Sequence, residues 1–138
     1  MSQIMVLCQT QEKFLTANST QNGGVLADLT FNNLVIGRTY VCRLKATMKA
    51  GDALFQQISI VHNGVTLDIC FNRAESGSAG AGGSFYGEAT FVATATTLTF
   101  VPSGASAGRL MYGGVGGYTK AILEEYNTYQ ILTTTRFT

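Results

Sequence analysis

The chain has 138 residues with nine Lys and Arg against eight Asp and Glu, the length of one ordinary domain, and so even a balance excludes the basic footprint of a nucleic-acid binder. Apolar residues make up 46% and charged residues only 12%, against roughly 25% charged in typical soluble domains. One core can be built, and much of the outer surface must be neutral. Between Ser76 and Gly108 the only charged residue is Glu88, so this span is expected to be either buried or covered by a partner.

From the start, residues 1–23 are weakly patterned and end in N-S-T-Q-N-G, which makes them an N-terminal arm or a first strand ahead of a single domain over 24–138. The opening M-S-Q-I-M-V-L-C has neither a basic leader nor a cleavage site, and no run reaches the roughly 18 apolar residues of a membrane span. Val25 to Phe31 reads as a short strand. Thr39 to Lys49 is a clear one, with Tyr40, Cys42, Leu44, Ala46 and Met48 alternating against Val41, Arg43, Lys45, Thr47 and Lys49. The basic residues of the second set belong on the outer face of a sheet.

His62-Asn63-Gly64-Val65 carries the Asn-Gly pair of a two-residue type I′ turn. Pairing His62 with Val65 sets Ile60 opposite Leu67, Ile58 opposite Ile69 and Gln56 opposite Phe71, so these apolar residues are expected to share the core face, with Asp68 outside. Downstream, Phe85 to Thr94 and Thr96 to Val101 alternate as strands, and Tyr118 to Tyr126 and Thr128 to Phe137 read as two more. Ala121 to Tyr126 is the one place where helical propensity competes. Seven or eight short strands with turns every eight to twelve residues predict an all-β antiparallel sandwich of jelly-roll type.

The motifs that could carry chemistry fail on context. Ser76 to Ser84 is glycine-rich, but it lies between strands and has no G-K-[ST] ending, so it reads as a long loop rather than a phosphate cradle. Gly104-Ala105-Ser106-Ala107-Gly108 matches the G-x-S-x-G elbow, yet no histidine follows Ser106 and no helix is expected after it. The only histidine, His62, flanks the hairpin turn and has no second ligand at metal spacing. Cys8, Cys42 and Cys70 are odd in number and widely spaced, against a disulfide framework or a zinc site and in favour of a reducing compartment. Glu124 and Glu125, as strand neighbours, point to opposite faces. No catalytic residue, cofactor or metal is expected. The candidate partner-contact residues are Tyr86, in the charge-poor span, and Arg109, Tyr112 and Tyr118, around a glycine-rich crossing.

The runs G-R-T-Y-V-C-R-L-K-A-T-M-K-A-G-D, Y-G-E-A-T-F-V-A-T-A-T-T-L-T-F-V-P-S-G and G-G-Y-T-K-A-I-L-E-E-Y-N resemble the jelly-roll surface domains of tailed-bacteriophage virions over roughly 37–127. The resemblance implies a virion structural protein, made in the host cytoplasm and acting without catalysis. Within that group it implies a capsid decoration or cement protein, with the major capsid protein and further copies of itself, as a dimer or trimer, for partners. A tail-fibre tip that binds a carbohydrate receptor is the alternative. No heptads of a fibre shaft are present.

Overall fold

In the computed structural model, which describes residues 2–49, 55–73, 82–104, 110–114 and 118–131, alternation becomes two antiparallel sheets. The strands are β1 (Ser2–Phe14), β2 (Thr39–Lys49), β3 (Phe55–His62), β4 (Val65–Arg73), β5 (Gly82–Val92), β6 (Leu98–Gly104), β7 (Leu110–Met111) and β8 (Lys120–Ile131). One sheet runs β1-β8-β2-β5, with β7 added to β2, and the other runs β4-β3-β6.

The fourth place in the second sheet is taken by residues 23–34, which follow β6 without becoming a strand. The amides of Gly23, Leu26, Phe31 and Leu34 donate in turn to the carbonyls of Pro102, Phe100, Leu98 and Thr96. All but one of the connections between successive full-length strands and this segment cross from one sheet to the other, and the resulting order is that of a jelly roll. The inward residues of β2, from Tyr40 to Met48, join Ile58, Ile60, Cys70, Leu98 and Phe100 in one core.

Three expectations are corrected. Val25 to Phe31 is not a strand: Ala27–Leu29 is a 3-10 turn. The turn brings Leu26 and Leu29 to the core together, which strict alternation forbids. Thr16 holds it from outside, donating its amide and hydroxyl to the Asp28 carboxylate at 3.0 and 2.8 Å.

The second correction is the hairpin register. Asn63 and Gly64 adopt the positive φ of a type I′ turn, 49° and 78°, and His62 pairs with Val65 as expected. A bulge then follows Val61–Thr66, so that Ile60 meets Asp68 and Ile58 meets Cys70. Past that point the faces swap. Cys70 is buried, while Ile69 and Phe71 are 43% and 45% exposed. The bulge has a visible effect at the sandwich edge, where the Asp68 carboxylate accepts the Glu88 amide at 2.8 Å. There β4 comes so close to β5 that a Cβ on Gly87 would lie 3.4 Å from both Asp68 and Ile60.

Third, the break expected between Tyr126 and Thr128 is absent, because β8 continues unbroken through Asn127 and Thr128 to Ile131, and the rest of the second expected strand, 132–137, lies outside the described residues. The loop over Ser76 to Ser84 also ends sooner than expected: β5 starts at Gly82, and 74–81 lie outside the described residues.

Candidate interaction surfaces

Alternation along β2 and β8 sorts their charges by face. On the inner face, Glu125 is buried, accepting Arg38 at 2.5 Å and the Tyr40 hydroxyl at 2.7 Å. The same hydroxyl accepts the Val35 amide at 2.7 Å. Burial pushes the Tyr40 phenol up to about 12. Burial also raises the Cys42 and Cys70 thiols to about 12, which keeps them protonated and unreactive.

His62 flanks the hairpin turn as expected and is buried there. Its Nδ1 lies 2.9 Å from the Thr97 carbonyl, and its Nε2 accepts the Thr94 amide at 3.0 Å. The ring stands 4.6 Å from that of Phe91. This imidazole fastens the β5–β6 turn to the hairpin, and both its nitrogens are engaged.

The outer face of the first sheet carries an open cleft of about 530 Å³ floored by β2, β5 and β8. Arg43 crosses it, paired with Glu124 and lying 3.8 Å from Glu88. One step along, Lys45 stands directly opposite Tyr86 on β5 and Lys120 on β8. Like charges opposed across a ladder destabilise it, and the carboxylate of Glu12 stands 3.9 Å from Lys120. Tyr86 is 71% exposed.

The sequence-derived contact residues converge in part. Thr47, the next outward residue on β2, accepts the Tyr112 amide through its carbonyl and donates its own amide and hydroxyl to the Tyr118 carbonyl. Tyr86, Tyr112 and Tyr118 are therefore drawn toward one end of β2, while Arg109 lies outside the described residues. The crossing beside them requires glycine, since a Cβ on Gly113 would fall 2.3 Å from the Ala17 carbonyl oxygen.

A second surface lies at the other end of the sheet. β2 leaves β8 at the pair Thr39–Tyr126, but β1 stays with β8 for five further pairs, from Val6–Asn127 to Ser2–Ile131. A two-stranded ribbon therefore extends past the sandwich. Directly opposed residues share a face, so Ile4, Val6 and Tyr129 lie on one side, with Met5 and Thr128 on the other. Neither side is covered: Ile4, Met5 and Val6 are 47, 53 and 42% exposed, and Leu7 at the root is 48% exposed. A bulge at Cys8, between Leu7–Tyr126 and Gln9–Glu125, marks where the ribbon joins the body.

No family model matches this chain, and no curated protein does. Among solved structures, a likeness is found to the EclA C-terminal domain, a sugar-binding protein, at 17% identity and a TM-score of 0.36, over 90% of this chain and 81% of that one. Another is to a structure of infectious bursal disease virus, Gx strain, at 12% identity and a TM-score of 0.30, over 91% of this chain and 36% of that one. At these scores neither likeness bears on what this chain does.

The ribbon was missed as such in the sequence because it obeys no single periodicity. Four apolar residues in a row, Ile4 to Leu7, followed by four without charge, hide which face is inside. The useful signal was the run itself: an uncharged strand with bulk on both sides needs a neighbour on both sides.

Proposed function

We propose that this protein is a structural component of a phage virion, a decoration or cement protein that binds the outside of the head and stabilises the shell without catalysis. The observation that carries the reading is the uncharged ribbon of β1 and β8, apolar on both faces and exposed. Two strands alone are marginal in water, and exposed apolar surface of this kind belongs against a partner. The resemblance of residues 37–127 to virion surface domains supplies the setting, and the sparse charge fits a contact made mainly of neutral groups. The engagement of both His62 nitrogens by backbone groups supports a role without catalysis.

A ligand that binds only the assembled shell raises shell stability by its binding free energy. The purified protein is therefore expected to bind empty mature heads and to ignore unassembled capsid protein. Heads without it should rupture at lower temperature than complete ones. Raising salt from about 50 to 500 mM should weaken binding only modestly, since screening acts mainly on exposed charges. Equal robustness of heads with and without the protein, together with binding to host cells, would overturn this reading.

The outer-face cleft favours a second reading, a carbohydrate receptor-binding domain. An exposed Tyr86 beside Lys45 and Lys120 offers a stacking face and donors for a sugar. Under that reading Tyr86→Ala abolishes attachment to cells, and under the decoration reading head binding survives the same change.

A further inference from the structure

We infer that two copies of this chain join through the free edge of β1, in antiparallel register centred on Met5, so that two sheets become one across a twofold axis. β1 is the end strand of its sheet, and among the described residues its outer edge has no backbone partner. Proteins ordinarily blunt such an edge with charge, proline or a short strand. Here the strand is thirteen residues long, Gln3 to Thr10 are all exposed, and none from Ser2 to Gln11 is charged or proline.

What selects a second copy over a foreign strand is the pattern on the ribbon. A strand that pairs with itself about a twofold sets each residue against its mirror position and the axis residue against its own copy, so a charge at the axis directly opposes a like charge and one beside it stands close to one. With the axis at Met5, Ile4 falls opposite Val6 on one face, and Gln3 falls opposite Leu7 beside the Met5 pair on the other. The window closes at Ser2 opposite Cys8, where the β1 bulge already interrupts the strand. Glu12 and Lys13, the first charges, lie beyond it. The faces agree too: Ile4 and Val6 share one side of the ribbon in the single chain, and Met5 shares the other with Leu7, as opposed pairs require.

The inference uses the ribbon that supports the virion reading but does not depend on heads. A dimer that ignores heads would overturn the function and leave the seam standing, and a head-binding monomer would do the reverse. Sedimentation equilibrium on the full chain at about 50 µM should give a dimer, and Met5→Lys, which opposes two like charges at the axis, a monomer or an association at least tenfold weaker. Unchanged circular dichroism shows that the variant still folds, and its unfolding midpoint should fall only by what the lost association contributed.

Placement is tested by cross-linking in a Cys8→Ser background. Met5→Cys puts two thiols on opposed residues, within disulfide reach, and mild oxidation should yield a covalent dimer, whereas Glu12→Cys should not. A wild-type monomer at that concentration, a Met5→Lys variant that associates as wild type does, or cross-linking by Thr128→Cys in preference to Met5→Cys would each overturn the proposal.

Discussion

At the scale of single residues, the inner face of the first sheet is organised by one carboxylate. Glu125 is buried, and its two oxygens are taken by Arg38 and by the Tyr40 hydroxyl, which in turn accepts the Val35 amide. Removing one partner of a buried pair usually costs more than the pair contributes, because the other charge is stranded. Arg38 keeps 35% of its side chain exposed, so water can take up its guanidinium and the loss should be moderate. Glu125→Leu is expected to destabilise by about 1–3 kcal/mol and Tyr40→Phe by about 1–2. Because both act on one network, the double variant should lose less than the sum, by at least about 0.5 kcal/mol. Urea unfolding of the three variants measures this, and strict additivity would mean that the hydroxyl and carboxylate act apart.

At the scale of elements, β2 and β5 were legible because their alternation is unbroken: Tyr40 to Met48 and Gly87 to Phe91 face inward as period two requires. The face that buries Glu125 and shows Glu124 followed from the same rule, but its partner Arg38, 87 residues away, left no local trace. The hairpin was half legible. Asn63-Gly64 fixed the turn, while the bulge after Thr66 goes with a contact to β5 that no window around β4 contains. The cleft was unreadable for the same reason, being made of three strands distant in sequence. The bulge gives a direct test. Ile58→Ala, in the core, should cost about 2–5 kcal/mol, whereas Ile69→Ala, on the outer face, should stay near 1 or below. Asp68→Ala should exceed the usual surface range of about 0.5, since it strands the Glu88 amide. An Ile69 cost equal to that of Ile58 would restore the unbulged register.

At the scale of the whole molecule, the core is sealed tightly enough to hold three titratable groups in their neutral forms, and this sets how the protein fails in alkali. Burial raises the Cys42 and Cys70 thiols from 9.0 to about 12 and the Tyr40 phenol from 10.0 to about 12. In each case the folded chain keeps its proton at a pH where the unfolded chain has lost it. The stability contributed by these groups is therefore whole below about pH 9 and drains away as pH rises towards 12, by about 1.4 kcal/mol per pH unit for each group inside its window. The two thiols act first and the phenol joins above pH 10. Urea midpoints in reducing buffer at pH 8.0, 9.5 and 10.5 should fall with growing steepness. In the Cys42→Ala, Cys70→Ala double variant the protein starts less stable, since two core side chains shrink, but its midpoint should decline more gently over the same steps. The slope, not the starting level, is the readout, so cavity effects do not confuse it. An alkaline slope unchanged by removing both thiols would mean that the core admits water and hydroxide well below pH 12.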